Sequence, residues 1–212
     1  MDRKSFKAYA DCDWEHSDAW EGNAANDFHS LPEQSDEQSA IIEHAAQILD
    51  SDPASGFGLF VEAAEAGSVY SMERVGWHYW TGTGVMADTS LALEYYRRAV
   101  AGGSWTATIA YARLLFELGR HDEWQTVLQD SVEAGFVPAY FWLAWLRYLQ
   151  AKTPESRREI RPLLEHAARQ GHPAAKFFLS RWMARGQLGL LNVPRGWKWV
   201  VQDAVDFASR HA

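Results

Sequence analysis

The sequence holds a single cysteine, Cys12, so no disulfide can form within the chain, which fits a reducing cytoplasm. No apolar run approaches the ~18–20 residues that cross a bilayer, so no membrane span is expected. Arg3, Lys4 and Lys7 open the chain, but Asp11 stands where the apolar core of a secretion signal would begin, and no export signal is read. Lys and Arg are missing altogether from Ala8 to Glu73, a stretch with 15 Asp and Glu. From Arg74 onward 17 Lys and Arg stand against 12 Asp and Glu, so the net charge of −8 resolves into an acidic front and a mildly basic back. An acidic chain without a regular polar code argues against a nucleic-acid partner. Several kinds of chemistry are also missing. No Ser/His/Asp or Cys/His set has a local catalytic signature. Cys12 and His16 lack the second pair of a four-ligand zinc site. Gly82-Thr83-Gly84 has neither the preceding strand nor the lysine of a phosphate loop. The expectation is a protein without enzyme activity, metal or small-molecule cofactor.

What the sequence does have is a repeat. A short phrase recurs as Ala63-Ala64-Glu65-Ala66-Gly67, Ala99-Val100-Ala101-Gly102-Gly103, Ser131-Val132-Glu133-Ala134-Gly135 and Ala167-Ala168-Arg169-Gln170-Gly171. Its final glycines lie 36, 32 and 36 residues apart. Four residues after each glycine comes a small residue, Ser71, Ala107, Ala139 or Ala175, and four further on Val75, Tyr111, Leu143 or Leu179. From that small residue to its counterpart in the following helix three units span 21 positions, whereas Ala107 to Trp124 spans 17. A single connecting loop has therefore lost four residues while the helices keep register.

Each unit reads as a pair of helices. The glycine sits where a helix needs a left-handed stop, and apolar residues recur at intervals of three and four. Predicted helices cover 36–49, 54–66, 69–81, 89–101, 105–118, 121–133, 137–151, 155–169, 173–185 and 195–209, with Asp88 as the N-cap of the fourth. No convincing strand is present. A helical pair of this kind cannot bury its apolar face alone, so neighbours must stack. The fold class is all-α: a right-handed superhelical solenoid of about four to five helix-turn-helix repeats.

The best unit, Gly82-Thr83-Gly84-Val85-Met86-Ala87-Asp88 followed by Ala92, Tyr95, Ala99 and Gly103, resembles the Sel-one-like repeat (SLR) of the tetratricopeptide-like superfamily. Val75-Gly76 and Tyr79 match the first helix of its pattern, and Asp52, Gly56, Leu59, Ala63 and Gly67 match the second helix of a preceding unit. The resemblance covers roughly Asp52 to Phe207. Gly119-Arg120 and Lys152-Thr153-Pro154 replace the Gly-x-Gly-Val loop in two units, and Gly186-Gln187-Leu188-Gly189 echoes it loosely. The resemblance implies adaptor or scaffold proteins, often bacterial, that bind other proteins and have no catalytic residues. It also implies that the first helix of each pair lines the concave surface.

On those first helices one stripe carries Trp77 and Trp80, then Arg113 and Phe116, then Phe141, Trp145 and Tyr148, then Phe177 and Arg181. Aromatic and arginine side chains are enriched at binding hot spots, so these nine are the candidate partner-binding residues. The opposing reading is that the aromatics fill the interior and the arginines stack on them. Residues 1–35 form an acidic segment with Trp14, Trp20 and Phe28, ahead of a repeat domain over 36–212. Disorder is the default for such a terminus; the sharper expectation is a strip that packs on the array. The expected function is a cytoplasmic adaptor holding a segment of one or more proteins. The alternatives are an inhibitor or immunity-type binder of one dedicated enzyme or toxin and, lower, a glycan or small-ligand binder using stacked Trp.

Overall fold

The computed structural model describes residues 14–28, 35–151, 153–186 and 193–210. Among them the elements are α1 (Trp14–Phe28), α2 (Asp36–Ile48), α3 (Pro53–Glu65), α4 (Val69–Thr81), α5 (Thr89–Ala101), α6 (Trp105–Glu117), α7 (His121–Glu133), α8 (Val137–Gln150), α9 (Pro154–Arg169), α10 (Pro173–Ala184) and α11 (Val193–Arg210). No strand occurs among the described residues. All ten predicted helices are present, and α1 is an addition. Cys12, Lys152 and the 187–192 stretch, which holds most of the Gly186–Gly189 echo, lie outside the described residues.

The repeated phrase works as a combined helix stop and helix start. Gly67, Gly103, Gly135 and Gly171 have φ of 97°, 93°, 87° and 102°, the left-handed region where a side chain is strained. At each, two hydrogen bonds close the preceding helix. The Ser68 N–H donates to the Ala63 carbonyl and the Gly67 N–H to the Ala64 carbonyl. Ser104 and Gly103 donate to Ala99 and Val100, Phe136 and Gly135 to Ser131 and Val132, and His172 and Gly171 to Ala167 and Ala168. This is the Schellman pattern, which satisfies carbonyls that a helix end would otherwise leave unpaired. The residue after the glycine then caps the next helix. Ser68 accepts from the Ser71 N–H at 3.2 Å, and Ser104 from the Ala107 N–H at 3.0 Å. His172 accepts from the Ala175 N–H through Nδ1 at 3.4 Å. Phe136 makes no side-chain cap bond. With one glycine and one cap between helices, consecutive helices turn back on each other at short range.

The chain divides into two compact units, Ala25–Val127 and Met1–Ala24 with Leu128–Ala212, here the front and back units. In the front unit each of α2 to α6 packs on its neighbour in sequence, and α4 also reaches α6. One core group joins Ala45, Phe60, Ala64 and Val75; another joins Val69, Ala92, Tyr96, Ala99, Ala107 and Leu114. Alanines at the crossings let backbones approach while Phe60, Tyr96 and Leu114 supply the apolar bulk. Asp88 accepts from the Ser90 and Leu91 N–H groups at 2.8 and 3.0 Å, the expected start of α5. In the back unit α8, α9, α10 and α11 pack in the same consecutive way. Its interior is more aromatic, with Phe141, Trp145, Phe178 and Trp182 buried beside Leu143, Ile160, Leu164 and Leu179.

His78 provides a pH-sensitive element inside the front unit. It is buried among Phe57, Phe60 and Trp77, with ring centroids 5.6, 5.8 and 5.1 Å away. Its Nδ1 lies 2.7 Å from the Thr83 carbonyl oxygen, which can only accept, so Nδ1 carries the proton. Burial holds this imidazole below its ordinary range, the Thr83 carbonyl pulls the other way, and the Arg74 charge adds to the lowering. The unfolded chain takes up a proton near the ordinary value of about 6.5 that the folded chain still refuses. Stability from this group is therefore complete above that value and lost as pH falls toward the lowered one. Urea midpoints measured between about pH 7 and 5 should drop more steeply for the wild type than for His78→Gln. Parallel profiles would show that His78 is not the source.

Candidate functional site

The stripe residues of the front unit come from α4 and α6, which the pairing pattern brings side by side. Trp77, Trp80, Arg113 and Phe116 are all half-buried. The Arg113 guanidinium lies 5.6 Å from the Trp80 ring centroid, within cation–π range. The Trp80 indole N–H donates to Glu117 Oε2 at 3.1 Å, and its ring meets Tyr96 edge-on at 6.1 Å. The Arg74 guanidinium covers Trp77 at 5.1 Å. Phe116 packs edge-on against the buried Trp124 at 5.6 Å. The result is a face of ordered aromatic rings, two guanidinium groups and a carboxylate, each partly open to solvent.

In the back unit the same register gives a different outcome. Phe141, Trp145 and Phe177 are buried, while Tyr148 and Arg181 remain half-buried. Phe178 closes over Trp145 at 4.4 Å, and Phe141 stacks with Trp145 at 6.3 Å. Tyr148 lies between Trp145 at 5.6 Å and Trp182 at 4.4 Å. The Arg181 guanidinium sits 3.3 Å from the Phe177 ring centroid. The stripe is thus part accessible face and part interior.

Sequence reasoning missed a second cluster in the back unit. Glu21 of α1 places Oε2 2.8 Å from the Trp142 indole nitrogen and Oε1 3.0 Å from His172 Nε2. The Trp142 indole N–H donates to the carboxylate, whereas the His172 contact has the distance but not the alignment of a hydrogen bond. The His172 side chain is fully buried, between Trp20 at 5.0 Å and Phe141 at 4.5 Å. The acidic, Trp-containing composition of the front was the available signal; Trp14 and Phe28, also part of it, have side chains outside the described residues.

The back unit carries two other surfaces. A cleft of about 550 Å³ opens among α9, α10 and α11, lined by Arg169, Lys176, Arg195, Trp199 and Asp206. On α11, Trp197, Val201 and Val205 form an exposed apolar row. Among the described residues no three His, Cys, Asp or Glu side chains gather as a metal site requires, and no helix is long and apolar enough to cross a membrane.

No protein-family model matches the chain, and a search of curated proteins finds no match. Solved structures do match. A Sel1 repeat protein from Oxalobacter formigenes is similar at a TM-score of 0.63 and 18% identity, over 78% of this chain and 73% of that one. The protective antigen c5321 of uropathogenic Escherichia coli, which displays an SLR fold, gives 0.59 and 18%, over 78% of this chain but 38% of that one. The immunity protein Pa5087 from Pseudomonas aeruginosa gives 0.53 and 19%, over 80% and 66%. Consecutive helical pairs, the glycine stop of each repeat and these three likenesses agree: the chain has the Sel1-like repeat fold.

Proposed function

We propose that the chain is a non-catalytic adaptor that holds a segment of a partner protein against the first helices of its repeats. The observation that carries this reading is the half-buried group of Trp77, Trp80, Arg113 and Phe116 in the front unit. Their rings and guanidinium groups are already fixed by neighbours, so little side-chain freedom is lost on binding. In the back unit Tyr148 and Arg181 are half-buried, with Phe141, Trp145 and Phe177 buried. A segment carrying both acidic and apolar side chains suits such a surface, because arginine can pair with the first and tryptophan cover the second.

A second reading, an inhibitor or immunity-type binder of one dedicated enzyme or toxin, is favoured by the likeness to an immunity protein. It uses the same face and differs in consequence. One equivalent of the chain should then abolish the activity of the co-purified partner, whereas an adaptor should leave it unchanged.

The test of the shared claim is a pull-down with wild type and with Trp80→Ala plus Arg113→Ala. Removing two hot-spot residues should weaken the partner at least about thirtyfold while the helical spectrum is retained. Undiminished binding by the folded double variant would place the interface elsewhere.

A further inference from the structure

We infer that Trp142 and His172 form a recognition site for an aromatic–acidic pair on a partner helix, and that α1 occupies this site as a tethered stand-in for that partner. The inference goes beyond the face on α4 and α6 and does not depend on it. Its basis is the construction of the Glu21 contact. A carboxylate would be costly to remove from water, yet Glu21 accepts from the Trp142 indole N–H at 2.8 Å and lies 3.0 Å from His172 Nε2. The imidazole is fully buried, and its Nδ1 accepts from the Ala175 N–H at the start of α10. The adjacent Trp20 lies against that imidazole and beside Gly171, where an added Cβ would sit at ordinary contact distance, 3.9 Å, from the indole.

This cradle would take a Trp–Glu dipeptide on a helix, with the ring on His172 and the carboxylate between His172 and Trp142. The charge balance of the two segments favours an acidic occupant. Residues 14–28 contain four Asp and Glu and no Lys or Arg, while from Leu128 onward 12 Lys and Arg stand against 7 Asp and Glu. The helix that fills the cradle is a poor former by composition, with Gly22 and Asn23 in its middle, so it holds its shape through docking. A helix that depends on docking for its shape is displaceable by a better copy of the same pair. The expected partner is therefore an acidic helical segment with a Trp–Glu or similar aromatic–acidic pair, and α1 competes with it inside the chain.

The experiment uses the full chain and a labelled peptide of residues 14–28 as probe. Trp20→Ala plus Glu21→Gln removes the ring and the charge of the tethered copy and so releases the cradle. Fluorescence anisotropy should show the peptide binding this variant at least about tenfold more tightly than wild type, where the tethered copy competes at high effective concentration. Adding Trp142→Phe to the released variant should remove the gain, since it deletes the N–H donor and keeps an aromatic side chain. Hydrogen exchange on wild type should show α1 opening while α8 and α10 stay protected. Equal binding to wild type and the released variant, no binding to either, or no effect of Trp142→Phe would overturn the proposal. So would exchange of α1 only on global unfolding, or failure of the released variant to fold, because either would make α1 an integral part of the interior.

Discussion

Trp145→Ala should cost the back unit about 3–5 kcal/mol, the range for deleting a buried tryptophan. Trp145 is 1% exposed, and its ring meets Phe178 at 4.4 Å, Tyr148 at 5.6 Å and Phe141 at 6.3 Å. Those neighbours sit on two helices whose backbones are fixed by the glycine stops, so the space cannot close by a small shift. The loss combines the removed apolar area with the remaining cavity, and it is a large part of the ~5–15 kcal/mol that a domain has. The urea midpoint of the back unit should fall far below that of wild type. A change under about 1 kcal/mol would mean that the indole lies at an open surface.

Gly84→Ala should be the most damaging loop substitution, at about 2–4 kcal/mol. Gly84 has φ of 74°, so any side chain there is strained. A Cβ would also lie 2.2 Å from the Pro53 carbonyl oxygen and 2.7 Å from its carbonyl carbon. That obstacle is backbone at the start of α3, so the overlap can be relieved only by moving the loop or the helix end. Gly82→Ala separates the two effects. Gly82 has φ of 75°, but its Cβ would meet nothing nearer than Ala87 Cβ at 3.4 Å. It should cost only the left-handed strain, about 1 kcal/mol. Equal thermal midpoints for the two variants would contradict the close approach of loop and α3.

The repeat helices were legible because their ends are set by local chemistry. Gly67, Gly103, Gly135 and Gly171 end helices through bonds within six residues, and Ser68, Ser104 and Asp88 begin them through bonds within three. Such signals need no knowledge of the rest of the fold. The helix α1 was not legible, because the face it buries carries Ser17 and Ala25, four residues either side of the half-buried Glu21. Small and polar residues at that spacing give no apolar period. The residues that Glu21 meets, Trp142 and His172, lie more than 100 residues away in sequence.

The stripe shows a different limit. Trp77 and Trp145 hold the same position, six residues after Ser71 and Ala139, and nothing local distinguishes them. Their fates differ through what the next first helix brings. Three residues after its small residue, α10 has Phe178, which covers Trp145, whereas α6 has Ala110, and Trp77 stays half-buried. Whether a ring is core or surface is thus decided by the neighbour's side-chain volume, which a single-helix pattern does not weigh.

The claim that the first-helix face holds a partner protein is tested most directly by site-specific photo-crosslinking. A benzophenone side chain would replace the exposed Glu117, beside Trp80, and in a second protein the exposed Arg97 on α5. The account predicts one defined protein crosslinked from position 117, lost when Trp80→Ala is added, and none from position 97. Crosslinking from position 97 alone, or from position 117 unaffected by Trp80→Ala, would contradict it.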